Sequence, residues 1–112
     1  MKLETVIEHE SEEKYIVVNV INQEDEKSVL VSLPYKWHGD ILSAYKERLS
    51  ECEVLEVLGG GILNINHEDK RIKTFGQSGS YGKPPIKLVE NILMEKFPEY
   101  NLDVRVTNYI RD

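Results

Sequence analysis

Apolar positions along the chain follow two different periods, and each period predicts a kind of secondary structure. Runs of alternating or β-branched apolar residues are typical of strands. Such runs occupy residues 3–8, 15–21, 28–33, 54–58, 62–65, 71–75 and 102–106. A short charged segment separates 15–21 from 28–33, so we predict that these two runs pair as a hairpin. Three glycines at 59–61 interrupt the apolar pattern and predict a bend or a close approach of backbones.

Two other segments repeat their apolar residues every three or four positions, as amphipathic helices do. The first predicted helix ends near residue 50 and the second ends at Pro98. Their apolar stripes are, respectively, Ile41, Leu42, Tyr45, Leu49 and Ile86, Val89, Leu93, Phe97. The order of strands, helix, strands, helix and strand predicts an α+β (mixed α/β) fold. We expect a single mixed β-sheet of about six strands with two packed helices.

Composition and charge are those of a small globular protein. The 112 residues suffice for one domain with its own core, which we expect to span residues 1–112. The formal net charge of −6 argues against a nucleic-acid partner and against a membrane-surface partner. The single cysteine cannot form an internal disulfide, and no apolar run has the length of a membrane span. The first residues also lack the apolar core of a signal peptide, so we expect a cytoplasmic protein. We also expect it to act as a monomer.

A loop rich in glycine and serine, residues 76–82, precedes the second predicted helix. Glycines permit positive φ angles, and such a loop can direct several backbone N–H groups at one point. The hydroxyl groups of Ser78 and Ser80, and the positive end of the following helix dipole, would favour an anion, above all phosphate. A plain turn that needs glycine is the alternative. A nucleotide-binding P-loop is excluded, because Pro84 stands where a magnesium-binding Ser or Thr belongs.

His38 lies just before the first predicted helix and is the candidate general base. Imidazole has an unperturbed pKa of about 6.5, which suits proton transfer near neutral pH. A helix cap or another structural role is the alternative for this residue. His9 and His67 lie in acidic turns and are interpreted as solvated. The three histidines lack the spacing of a metal site, so no metal is expected.

Lys14 opens the strand-like run at 15–21 and directly follows several acidic residues. It either pairs with those carboxylates or supplies positive charge to a bound phosphate. A hydrolytic site further requires His38 and the loop at 76–82 to meet on one side of the sheet. We therefore expect the fold to bring these two elements together.

Six short motifs follow one another along the chain and together are more specific than any one of them. They are Tyr35-Lys-Trp37, His38-Gly-Asp-Ile41, Leu58-Gly-Gly-Gly61, Asp69-Lys-Arg-Ile72, Gly76-Gln-Ser-Gly-Ser-Tyr-Gly82 and Lys96-Phe-Pro98 with Tyr100. In this order they resemble the phosphohistidine phosphatases of the Janus/Ocnus family. The resemblance covers nearly the whole chain and implies a mixed sheet with two helices, which is the fold that the hydrophobic pattern predicts.

The resemblance also implies roles for single residues. The catalytic histidine of the family corresponds to His38, and its phosphate-contacting lysine corresponds to Lys14. Its phosphate-binding serine and the backbone amides that follow correspond to Ser78, Gly79 and Ser80. The family implies general-base catalysis on water, with no metal or other cofactor and no phosphoenzyme.

The leading hypothesis is a metal-independent protein phosphohistidine phosphatase that uses His38 as general base. Its substrate would be a phosphohistidine-bearing protein or a small phosphoramidate, in which an N–P bond is hydrolysed. Animal members of the family carry arginines where this chain has Ile62 and residues 33–34. This difference motivates an alternative, a non-catalytic phosphate- or phosphopeptide-binding module on the same fold. A different small-molecule phosphatase or isomerase with the same cleft is a third hypothesis.

Overall fold

The structure is a computed structural model that describes residues 4–23, 25–49, 52–105, 107 and 110–111. Its elements are, in chain order, β1 (Val6–Ile7), β2 (Glu12–Asn22), β3 (Asp25–Ser32), α1 (His38–Arg48), β4 (Cys52–Asn66), β5 (Arg71–Phe75), β6 (Gln77–Ser78), α2 (Ile86–Lys96), β7 (Asn101–Val104) and β8 (Ile110–Arg111). Within these residues, six strands form a mixed sheet in the order β1-β3-β2-β4-β5-β7, while β6 and β8 form a separate pair. The predicted α+β fold, with a mixed sheet and two helices, is confirmed.

The predicted elements correspond to observed ones, with different ends. β2 and β3 are antiparallel neighbours, as the charged segment between them predicts. The runs at 54–58 and 62–65 belong to one long strand, β4, which passes through the three glycines without interruption. The last predicted strand is β7, which pairs in parallel with β5, and Val106 lies outside the described residues. Neither helix of the described chain is long and apolar enough to cross a membrane.

Side chains along β2 alternate between two hydrophobic cores, one on each face of the sheet. Tyr15 and Val17 are fully buried and pack with residues of α2 such as Leu93. Ile16, between them, is fully buried on the other face and packs with residues of α1 such as Ile41. The two helices therefore cover opposite faces of the same sheet.

The glycines of β4 allow other parts of the chain to approach its backbone very closely. A Cβ atom on Gly60 would lie 2.6 Å from the carbonyl oxygen of Tyr15, on the neighbouring strand. It would also lie 3.0 Å from Cδ2 of His38 and 3.3 Å from Cβ of Ser78. The predicted close approach at these glycines is confirmed. The space that a side chain would need at this position is filled by the histidine and the serine.

The variant Gly60→Ala is expected to destabilise the protein, because a methyl group cannot sit 2.6 Å from a backbone oxygen. Overpacking of this kind typically costs about 1–3 kcal/mol, which urea or thermal unfolding measures. The matched control is Gly39→Ala in α1, where the nearest described atom to the new Cβ would be the Tyr81 hydroxyl at 3.8 Å. That change should be neutral or stabilise the helix by up to about 1 kcal/mol. Equal losses in the two variants would contradict this packing argument.

Candidate functional site

His38 is the first residue of α1, and its side chain is completely buried. Its Nε2 atom lies 3.0 Å from the carbonyl oxygen of Gly61 in β4. Because a carbonyl oxygen only accepts hydrogen bonds, Nε2 carries a proton, and the lone pair of the neutral ring is on Nδ1. Trp37, not His38, occupies the N-cap position of the helix. The ring is thus oriented by a strand carbonyl, and it can act as a base only through Nδ1.

Ser78 begins a tight turn that ends at Gly82. The N–H group of Gly82 donates to the carbonyl oxygen of Ser78 at 2.9 Å. The hydroxyl oxygen of Ser78 accepts from the N–H groups of Ser80 at 3.2 Å and Tyr81 at 3.0 Å. Ser78 is buried, whereas Gly79 and Ser80 are exposed at the tip of the turn. The buried hydroxyl therefore organises the turn from within, and the Ser80 amide, expected to face phosphate, bonds this hydroxyl.

The structure brings His38 and the Ser78 turn together on the face of the sheet that α1 covers. Both side chains border the same empty position on Gly60, at 3.0 Å for Cδ2 of His38 and 3.3 Å for Cβ of Ser78. The hydroxyl of Tyr81 lies 3.8 Å from the corresponding position on Gly39, in the first turn of α1. The expected meeting of the histidine with the glycine loop is therefore observed.

The helix that follows the loop lies on the other face of the sheet. After the turn, the backbone of Lys83 and Pro84 packs against Gly59. Gly59 pairs with Val17, a member of the core beneath α2. The chain has thus crossed from one face to the other between Ser78 and Lys83. We expected the positive N-terminal end of the helix after the loop, α2, to lie at the site. That expectation is wrong, because α2 lies on the other face of the sheet and the helix whose first turn lies beside the Ser78 turn is α1.

Lys14 lies on the same face as His38, because side chains alternate along β2. Its ammonium group donates a hydrogen bond to the carbonyl oxygen of Lys36 and lies 5.8 Å from the centre of the Trp37 ring. The ammonium group of Lys36 lies 5.1 Å from the same ring. Among the described residues, Lys14 forms no ion pair with the carboxylates that precede it. It is directed instead to the segment that leads into α1.

A chain of hydrogen bonds fixes the backbone of Lys14. The buried hydroxyl of Ser32 donates to the carbonyl oxygen of Lys14 at 2.8 Å, and Nε2 of His9 lies 2.6 Å from that hydroxyl. Burial lowers the pKa of His9, since desolvation disfavours the charged imidazolium. The interpretation of His9 as solvated is therefore wrong. His67 is exposed, as expected, with Nδ1 2.7 Å from the hydroxyl of Tyr100.

The site combines an imidazole, an ammonium group and the backbone amides of an exposed turn. Such groups can bind an oxyanion and accept a proton next to it. In the described part of the chain, no three His, Cys, Asp or Glu side chains are grouped so that they could hold a metal ion. On the opposite face of the sheet, burial raises the pKa of Tyr15, whose ring lies beside Gly61, so its phenol stays neutral.

Sequence reasoning missed the residues that hold His38 in place. Gly61 supplies the carbonyl oxygen for Nε2, and Gly60 leaves room for the ring. The three consecutive glycines within a strand were the available signal. They predicted a close approach, but they could not indicate which side chain would fill the space.

Comparison with known proteins identifies relatives over most of the chain. A profile of the Janus/Ocnus family (Ocnus) matches residues 3–101, which include His38, Lys14 and the whole Ser78 turn. Sex-regulated protein janus-A of Drosophila melanogaster is 28% identical over 99 residues, which cover 86% of this chain and 73% of that protein. The janus-A protein of Drosophila pseudoobscura pseudoobscura is 31% identical over 111 residues, covering 92% of this chain and 74% of that protein.

A more distant similarity extends to a named enzyme. The 14 kDa phosphohistidine phosphatase of Sus scrofa is 28% identical over 72 residues, which cover 61% of this chain and 57% of that protein. The janus-A relatives carry no reaction in their names, so they bear on kinship rather than on activity. The family profile covers far more than half of the sequence. The chain therefore belongs to the Janus/Ocnus family.

Proposed function

We propose that the chain is a protein phosphohistidine phosphatase that hydrolyses the N–P bond of phosphohistidine, with His38 as general base on water. One observation carries this proposal: His38 and Ser78 meet beside Gly60, on the sheet face that also bears Lys14. The similarity to a 14 kDa phosphohistidine phosphatase supports the choice of reaction. The substrate class is a phosphoramidate in which phosphorus is bonded to an imidazole nitrogen of a protein histidine.

Phosphate would bind at the exposed tip of the Ser78 turn. Phosphoryl transfer passes through a loose transition state whose charge is spread over the equatorial oxygens, so positioning and charge stabilisation dominate catalysis. The amides of Gly79 and Ser80 and the ammonium of Lys14 are the donors for these oxygens. The Ser80 amide would exchange the Ser78 hydroxyl oxygen for a phosphate oxygen. The hydroxyl of Ser78, which still accepts from the Tyr81 amide, would donate its own proton to the same phosphate.

His38 would accept a proton from the attacking water through Nδ1. The water oxygen bonds to phosphorus, the N–P bond breaks, and its electron pair goes to the imidazole nitrogen of the substrate. That nitrogen takes up a proton from solvent, and His38 returns the proton of the attacking water to solvent. The carbonyl oxygen of Gly61 holds the ring in the required tautomer and stabilises the imidazolium that forms. Since Nδ1 is buried in this structure, the groups that cover it have to move for water to reach it when substrate binds.

The variant His38→Gln tests this assignment. Glutamine can still donate a hydrogen bond to Gly61, but it cannot accept a proton near neutral pH. We expect kcat/KM on a phosphohistidine peptide to fall at least about a hundredfold, and wild-type turnover to persist in the presence of EDTA. His67→Gln is the matched control, because it removes an exposed histidine that bonds Tyr100. Equal turnover by His38→Gln and wild type, with both variants folded by circular dichroism, would contradict the role of His38.

Two observations favour a second candidate function, a module that binds phosphate or a phosphopeptide without turnover. The side chain of His38 is completely buried, so bulk solvent does not reach it in this state. Ile62, after the glycine triplet, is also buried, at the position where animal members of the family carry an arginine. This candidate shares the binding groups of the first and lacks only its chemical step.

Titration with inorganic phosphate tests the binding groups that both candidates share. We expect the amide resonances of Gly79 and Ser80 to shift in NMR spectra. Lys14→Ala should weaken binding about tenfold or more, because a hydrogen bond to a charged group typically contributes about 1.5–3 kcal/mol. Lys96→Ala is the matched control, an exposed lysine of α2 on the opposite face of the sheet. Shifts confined to other parts of the chain would contradict this site, and binding without hydrolysis of phosphohistidine would favour the second candidate.

A further inference from the structure

Trp37 presents a large aromatic surface directly beside the candidate site. Its side chain is 48% exposed, although tryptophan is usually well buried in a globular protein. Its backbone is extended, and its carbonyl oxygen accepts from the N–H groups of Asp40 at 3.1 Å and Ile41 at 3.3 Å. The first turn of α1 therefore anchors this residue. Because this backbone is fixed, a ligand that binds the ring has only the side-chain torsions of Trp37 to order.

Two ammonium groups lie close to this ring. Those of Lys36 and Lys14 are 5.1 Å and 5.8 Å from the ring centre, and Lys14 also donates to the carbonyl oxygen of Lys36. Lys14 is the cation assigned above to the phosphoryl group. In phosphohistidine the phosphorus is bonded directly to the imidazole ring. A phosphoryl group held by Lys14 therefore brings that imidazole to the edge or face of Trp37.

We propose that Trp37 forms the subsite for the imidazole ring of phosphohistidine and so determines the specificity of the site for this substrate. This inference rests on the proposed function, because it places the phosphoryl group beside Lys14. Planar rings gain from offset or edge-to-face contact with indole. Contact with Trp37 therefore favours phosphohistidine over a phosphoramidate that has no ring.

Substrates with and without a ring distinguish this role from a structural one. The ratio of kcat/KM for a phosphohistidine peptide to that for phosphoramidate should fall about tenfold in Trp37→Ala. Trp37→Phe retains an aromatic ring and should keep most of the ratio. Met94→Ala, which truncates an exposed apolar side chain of α2, should leave the ratio unchanged. If the wild type turns over both substrates and the ratio is unchanged in Trp37→Ala, the subsite is overturned while the proposed function stands.

Fluorescence provides a readout that does not depend on turnover. Trp37 is the single tryptophan of the chain, so the indole emission reports on this position alone. In the slow variant His38→Gln, the phosphohistidine peptide should change the emission more than inorganic phosphate does at equal occupancy. Equal changes would overturn the subsite. A ring-dependent change without any wild-type hydrolysis would support the subsite and reject the enzymatic proposal, so the two failures can be told apart.

Discussion

The missing side chain at Gly60 is the constraint on which the arrangement of the candidate site depends. A Cβ there would lie 2.6 Å from the carbonyl oxygen of Tyr15, which belongs to the neighbouring strand and is held by the pairing of β2 with β4. Protein interiors are close-packed, so the space on this face is available to other groups only because the glycine leaves it. The imidazole of His38 and the side chain of Ser78 fill it from two different elements. At this position, the close packing of the sheet face therefore also fixes the geometry of the candidate site.

The two faces of the sheet differ, because one bears only a hydrophobic core and the other bears a core and the candidate site. On the α2 side, Tyr15, Val17 and Leu93 belong to a core of fully or nearly fully buried residues. On the α1 side, a second core ends where the helix begins, and the candidate site lies at that end. The alternation of β2 produces both cores from one strand, and it directs Lys14 to the α1 side as well. The chain that carries the Ser78 turn then crosses to the other face beside Gly59.

Local patterns in the sequence were sufficient for most elements of the fold. The β-branched run of β2 and the apolar stripes of the two helices predicted elements that the structure contains. Long-range placement was harder to predict, since periodicity carries no information about strand order. For this reason the sequence did not show that α2 lies on the face opposite the Ser78 turn. His9 was misjudged for a related reason, because its acidic neighbours gave no sign that its ring would be partly buried and bond Ser32, which lies 23 positions away.

The Ser78 turn combines a fixed first residue with an exposed tip. Its anchor is the buried hydroxyl that accepts two amide hydrogen bonds. At the tip, Gly79 and Ser80 are exposed, and a Cβ added to Gly82 would meet no described atom within 4 Å. Replacements at the two exposed positions would alter the chemistry offered to a ligand without disturbing either core. Sequence changes at the tip are therefore decoupled from the imidazole and its supporting carbonyl, which belong to α1 and β4.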